Sequence, residues 1–146
     1  MSSSSSTEDR RPEEPIATLL ARAFETLQSD CPRAYARMVQ RLGESTVRVT
    51  VDDETFDIRV EHDVARVLDP RGSTAVSIRT SRATVRDVLA GQATLTDALY
   101  GDELRADGRL TDLVAVLEAL EAFVHGAARC DTIAQLYHEF QSKRVA

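Results

Sequence analysis

The stretch from Ser81 to Leu120, SRATVRDVLAGQATLTDALYGDELRADGRLTDLVAVLEAL, decides how the rest of the chain is interpreted. Thr84 and Thr94 each place a hydroxyl at a position typical of a helix N-cap, with an aspartate three residues later. Gly91 and Gly101 follow at positions where helices commonly end. The pattern predicts two short helices, which need a partner surface because such helices are marginal alone.

The second half of this stretch predicts a strand and a long helix. Leu104 to Asp107 alternates between apolar and polar residues, which predicts a brief strand, and Gly108 then turns the chain. The long helix carries one apolar face, formed by Leu110, Leu113, Leu117, Leu120 and Val124. The order of elements is therefore helix, helix, short strand and long helix.

This order and its residues resemble the sterol carrier protein 2 (SCP2) family of lipid-binding domains. The matching segments are Leu89-Ala90-Gly91, Ala98 to Asp102, Leu104 to Gly108, and Leu113, and the resemblance covers residues 16–123. It implies a β-meander before these elements. It also implies that the domain binds fatty acyl chains, sterols or other apolar molecules in a tunnel between sheet and helices.

The composition is that of an ordinary globular domain. The chain has 146 residues, 42% of them hydrophobic and 29% charged, which fits one domain with its own core. The net charge of −6 argues against nucleic acid as a partner and predicts only weak unspecific attraction to anionic lipid surfaces, unless the arginines cluster. Two arginine groups are interpreted as solvated faces, with a phosphate site as the alternative: Arg33, Arg37 and Arg41, and Arg79, Arg82 and Arg86.

The cysteines and the ends of the chain favour a bacterial cytoplasm. Cys31 and Cys130 are the only cysteines, and two distant cysteines in an intracellular protein are expected to be free thiols. The serine-rich start does not have the pattern of a secretion signal. We expect no stable membrane insertion, because no apolar run approaches the roughly 20 residues that span a bilayer.

The chain before the sheet begins with a polar tail and continues with two helices. Residues 1–14 are rich in serine and charge and are expected to be disordered. An SCP2-like domain is predicted over residues 15–128, and Pro15 and Pro32 each suit the first position of a helix. The two predicted apolar stripes are Ile16, Leu19, Leu20, Ala23 and Leu27, and Tyr35, Met38, Val39 and Leu42.

After Gly43 the spacing of apolar residues changes from the helical period to the two-residue period of strands. Val47 to Val51 and Phe56 to Val60 alternate on either side of an acidic turn, which predicts a β-hairpin. Val64 to Leu68 and Ala75 to Thr80 predict two more strands, and short connections favour an antiparallel meander. With the segment from Leu104 as a fifth strand, the prediction is an α+β fold. Its five-stranded, mainly antiparallel sheet has helices packed on one face.

Residues 129–146 extend beyond the family pattern. Asp131 suits an N-cap, and an amphipathic stripe follows at Ile133, Leu136, Tyr137 and Phe140. The pattern predicts an extra helix that covers the ligand cavity, packs on its own domain, or forms a homodimer or a dock for a pathway enzyme.

No motif for catalysis, metal binding or phosphate binding is present in the sequence. The three histidines have no metal-ligand spacing, and there is no nucleophile elbow and no glycine-rich phosphate loop. We therefore predict a protein that is not an enzyme and has no cofactor. An enzymatic alternative would have to start from His62-Asp63 or Cys130.

The resulting hypothesis is a carrier for a hydrophobic small molecule such as a lipid, an acyl chain, a sterol or a polyketide-like compound. The predicted tunnel residues, each with plain core as its alternative, are Val49, Phe56, Ile58, Val76, Ile78, Val85, Val88, Leu89, Leu95, Leu99, Leu113, Leu117, Leu120, Phe123, Tyr137 and Phe140. An aromatic share of only 5% favours an aliphatic ligand. The alternative hypothesis is an interaction module with a filled core.

Overall fold

Five helices and five strands make up residues 15–130, the part of the chain that the computed structural model describes. The helices are α1 (Ile16–Asp30), α2 (Pro32–Leu42), α3 (Arg82–Leu89), α4 (Leu95–Tyr100) and α5 (Leu110–Arg129). The strands are β1 (Val47–Val51), β2 (Glu54–Glu61), β3 (Val64–Leu68), β4 (Val76–Thr80) and β5 (Arg105–Gly108). The predicted tail and the predicted C-terminal helix from Asp131 lie outside the described residues.

The strands form one mixed sheet in the order β3-β2-β1-β4-β5. In the centre, Val49 of β1 stands opposite Phe56 of antiparallel β2 and beside Ile78 of parallel β4. The predicted α+β class with a mainly antiparallel sheet is confirmed. The predicted meander is wrong at one step, because β4 lies beside β1 and parallel to it instead of pairing with β3.

Two charged residues on the polar face of the sheet explain this step. The Arg48 guanidinium contacts both carboxylate oxygens of Asp57, with the Arg48 Nε to Asp57 Oδ1 distance at 2.9 Å. Arg48 also donates to the carbonyl of Gly72 at 2.9 Å, and the Arg71 N–H donates to Asp57 Oδ2 at 3.0 Å. The loop between β3 and β4 is therefore bound to both β1 and β2. β4 follows this loop and pairs with β1 on the side away from β2.

The two short helices begin as capped helices, although one cap differs from the prediction. Thr94 and Asp97 form a complete capping box at the start of α4, as predicted. The cap of α3 is Ser81, whose Oγ accepts a hydrogen bond from the Thr84 N–H at 3.1 Å, so Thr84 lies inside the helix. Both residues are hydroxyl-bearing, and the sequence pattern alone does not distinguish them.

The face that α5 buries matches the predicted one in part, since Leu113, Leu120 and Val124 are half-buried and pack against the core. Leu110 is 76% exposed, and the residues that α5 buries are Val116, Ala119, Ala122, Phe123, Gly126 and Ala127. The helix is apolar around most of its circumference because it packs against the sheet side on one face and α2 on another. A Cβ at Gly126 would lie 2.7 Å from the Ala34 Cβ, so this close approach to α2 needs glycine.

The helical layer is attached to the sheet edge by one buried hydroxyl. Tyr35 of α2 is 5% exposed, and its Oη accepts a hydrogen bond from the Ala65 N–H of β3 at 2.8 Å. A buried N–H on an edge strand needs such a partner because water cannot reach it. This bond fixes where α2 lies relative to the edge of the sheet.

Candidate ligand-binding cavity

An apolar cavity of about 490 Å³ lies between the inner face of the sheet and the helices, all five of which contribute lining residues. Cavities of roughly 300–1,000 Å³ are typical of small-molecule sites. The core of this domain therefore encloses enough space for a ligand, and the filled core that the interaction-module alternative requires is not favoured.

The floor of the cavity comes from the alternation of the three central strands. Residues at every second position point to the same face of a sheet. On that face the strands contribute Val47, Val49, Val51, Phe56, Ile58 and Ile78. Branched and aromatic side chains of this kind are common in strands, and together they give a continuous hydrocarbon surface.

Two phenylalanines bring α1 and α5 into contact in the cavity wall. Phe24 of α1 and Phe123 of α5 line the cavity, and their ring centroids are 5.4 Å apart with the rings at 89°. This edge-to-face arrangement is a favoured geometry for aromatic pairs. Phe56 adds a third ring from the sheet, so aromatic groups contribute more to the walls than the low aromatic share of the sequence predicts.

The mouth of the cavity lies between the end of α3 and the last turn of α5. Ala90, Gly91 and Ala128 line the cavity and are exposed to solvent. Leu89 and Val124 beside them are half-buried. Small residues at these positions add little bulk to this edge of the cavity.

The polar groups in the walls are already bonded to the protein. Thr80 Oγ1 donates to the carbonyl of Glu103 at 2.8 Å, and Thr84 Oγ1 is 3.0 Å from Ser81 Oγ. Within residues 15–130 no charged side chain lines the cavity. The walls therefore offer contact with hydrocarbon and no group that would bind an ionised part of a ligand.

Comparison with solved structures identifies this architecture. The structure of "UbiJ-SCP2 Ubiquinone synthesis protein" superposes with a TM-score of 0.53 at 19% identity, covering 74% of this chain and 99% of that one. A crystal structure of sterol carrier protein 2 gives a TM-score of 0.54 at 19% identity, with 75% and 94% covered. The chain has the SCP2 fold. The resemblance predicted from the sequence is thus confirmed for the architecture.

A third structure with the SCP2 fold comes from Thermus thermophilus and is suggested to be a sterol carrier protein. It gives a TM-score of 0.52 at 17% identity and covers 77% of this chain and 86% of that one. No protein-family model matches the sequence, and no curated protein is significantly similar to it. The similarity is therefore one of fold, at low sequence identity.

The structure brings most of the predicted tunnel residues together. Those that line the cavity are Val49, Phe56, Ile58, Ile78, Val85, Val88, Leu89, Leu95, Leu120 and Phe123. Those that do not line it are Val76, Leu99, Leu113 and Leu117. Val76 is 1% exposed and is plain core. Tyr137 and Phe140 lie outside the described residues, and ligand contact at every one of these positions stays a prediction.

The first helix supplies a wall that the predicted set of tunnel residues omits. From α1 and α2 the cavity is lined by Ile16, Leu19, Leu20, Ala23, Phe24, Met38 and Leu42. Helical spacing predicted that most of them are buried, but spacing does not say whether a buried residue faces a cavity. The resemblance to the SCP2 family could have indicated this wall, because in that fold helices from both ends of the chain cover the sheet.

The candidates for catalysis at His62 and Asp63 lie away from the cavity. These two residues form the exposed turn between β2 and β3, with φ angles of 53° and 63°. Within residues 15–130, no three His, Cys, Asp or Glu side chains group in a way that could hold a metal ion. In the same part of the chain, no helix is both long and apolar enough to cross a membrane.

Proposed function

We propose that this protein binds a hydrophobic small molecule in the cavity and carries it without catalysing a reaction. The observation that supports this most directly is an apolar space of about 490 Å³ whose hydroxyl groups are already hydrogen-bonded. Removing the apolar surface of a ligand from water in such a space is favourable by about 25 cal/mol per Å². An acyl chain, a sterol or a polyketide-like molecule presents that kind of surface.

The SCP2 fold supports the same proposal by analogy, since neighbours with this fold include a sterol carrier protein and a ubiquinone synthesis protein. A fold alone does not determine a function, so the wall chemistry has to agree with the analogy. The wall chemistry agrees with the analogy, because the walls are hydrocarbon and the mouth is formed by small residues. We place this activity in a reducing cytoplasm, as the sequence predicts for a chain with only two, distant cysteines.

A binding assay with a fluorescent fatty-acid analogue tests the proposal. Saturable binding and displacement by acyl chains, sterols or polyketide-like compounds are the expected results. Native mass spectrometry of protein purified without detergent is expected to show a copurified apolar adduct. The absence of both would contradict the proposal.

A matched pair of variants shows whether binding occurs in this cavity. Ala128→Trp puts a large ring at the exposed mouth, where it obstructs access without overpacking the core. Ala83→Trp makes the same change at an exposed position of α3 that does not line the cavity. We expect slower dye uptake in the first variant and unchanged uptake in the second. Equal uptake in both would place the binding elsewhere.

A further inference from the structure

A second cleft, of about 390 Å³, lies between α2 and the C-terminal half of α5. Its walls carry Arg33 and Arg37 of α2 and His125 and Arg129 of α5. On α5 these residues lie on the face opposite to the one that lines the apolar cavity, as the helical spacing requires. The cleft is therefore separate from the proposed carrier site.

The packing of the two helices explains why the cleft is open. Arg41 of α2 meets Glu118 of α5 at 3.2 Å, and further along Ala34 contacts Gly126. The helices are thus antiparallel neighbours. Between these contacts α5 presents Ala122, whose small side chain leaves space beside the arginines.

The charges in the cleft are not balanced by the part of the protein that the structure describes. Of the three arginines repeated along α2, Arg41 has an ion pair with Glu118. Within residues 15–130, Arg33, Arg37 and Arg129 have no ion pair or hydrogen bond from their side chains to another residue. No acidic residue of the same range lines the cleft, although the whole chain carries a net charge of −6. Guanidinium groups gathered in one cleft repel each other, and a bound anion would relieve that repulsion.

We propose that this cleft binds a phosphate-type polyanion, either a free phosphate or diphosphate group or the phosphomonoester headgroup of a lipid. A guanidinium group is planar and can donate two parallel hydrogen bonds to two oxygens of one phosphate. Here the guanidinium groups come from two helices, α2 and α5. Three arginines supply enough positive charge for a dianion, and His125 adds a further hydrogen-bond donor. The apolar cavity plays no part in this binding.

Calorimetric titration of the full chain with sodium pyrophosphate at low salt tests the site. We expect saturable heat with one site per chain. The Arg33→Gln/Arg37→Gln double variant should weaken this binding by about tenfold or more, since each charged hydrogen bond contributes strongly. Both arginines are exposed, so the variant should remain folded, and its binding of the apolar dye should be unchanged.

Two further variants separate a site from a general charge effect. Arg105→Gln/Arg109→Gln removes the same charge at exposed positions, and Arg109 lies about 20 Å along the helix axis from Ala122, the first cleft residue of α5. This control should bind pyrophosphate as the parent chain does. Arg33→Lys/Arg37→Lys keeps the positive charges and loses the paired donors of the guanidinium. Its affinity for pyrophosphate should therefore lie between that of the Arg33→Gln/Arg37→Gln variant and that of the control. No saturable heat, or an equal loss in the control, would overturn the proposal.

Vesicles distinguish the source of the phosphate. Sedimentation with phosphatidylcholine vesicles is compared with and without phosphatidic acid, and pyrophosphate is added as the competitor. Binding that requires phosphatidic acid and is displaced by pyrophosphate would assign the cleft to a lipid headgroup. Pyrophosphate binding without vesicle binding would assign it to a free phosphorylated ligand. Either result supports the phosphate chemistry.

Discussion

The carboxylate of Glu54, at the start of β2, accepts a hydrogen bond from the backbone N–H of Ile16 at 2.8 Å. Its second oxygen accepts from the Ala17 N–H at the same distance, 2.8 Å. Pro15 precedes the helix and provides no side-chain cap. A residue far along the chain therefore supplies the cap of α1, and because Ile16 lines the cavity, this contact also positions one of its walls.

Glu54→Gln should destabilise the protein. The amide keeps one acceptor oxygen but places an NH₂ group against the other N–H, and it removes a negative charge from a helix N-terminus. We expect a loss of about 1–2 kcal/mol in the free energy of unfolding, measured by urea denaturation.

Glu44→Gln provides the control for this prediction. It makes the same substitution at an exposed position for which the structure gives no hydrogen bond or ion pair within residues 15–130, so its effect should stay within about 0.5 kcal/mol. Similar losses in the two variants would show that the capping contact with α1 is not what stabilises the protein.

The ion pair between Arg48 and Asp57 should make stability depend on acid pH. Burial of Asp57 alone would raise its pKa, but hydrogen bonds from Arg48 and the Arg71 N–H, with the charges of Arg48 and Arg59, outweigh burial and lower the pKa. The carboxylate therefore contributes its full stabilisation above the ordinary aspartate pKa of about 3.9. This contribution is lost as the pH falls through the lowered pKa of the folded protein.

Asp57→Asn tests this account. At pH 7 we expect a loss of about 1.5–3 kcal/mol in the free energy of unfolding, because the charged hydrogen bonds to Arg48 and the β3–β4 connection are weakened. The loss should shrink on acidification below about pH 4, where the parent chain loses the same contribution. Arg48→Gln and the double variant complete a cycle, and additive losses would contradict coupling between the two residues.

Local signals in the sequence were sufficient for most element boundaries. Val64–Leu68 was predicted as a strand with the bounds that it has, Pro32 opens α2, and the capping box at Thr94 starts α4. Each of these depends on residues a few positions apart, where steric preference and backbone hydrogen bonding decide the outcome.

Features that depend on distant residues could not be predicted in this way. β4 follows a loop that Arg48 and Asp57 hold by hydrogen bonds, and neither residue adjoins that loop in the sequence. The buried face of α5 is set by packing on two sides, so that it includes Ala122 and Gly126 in addition to the leucines of the predicted face that pack against the core. The cavity and a filled core are built from residues at the same spacing, so only the structure distinguishes them.

The sequence predicts an amphipathic helix in residues 131–146. Ala128 at the mouth of the cavity is three positions before this segment, so a helix there would begin beside the opening. We expect deletion of residues 131–146 to speed release of the bound dye several-fold in stopped-flow measurements, with no change in the oligomeric state. Deletion of residues 1–14 is the control of similar length and should leave release unchanged. Unchanged release after the C-terminal deletion, together with dissociation of a dimer in sedimentation, would instead assign the segment to an interface between chains.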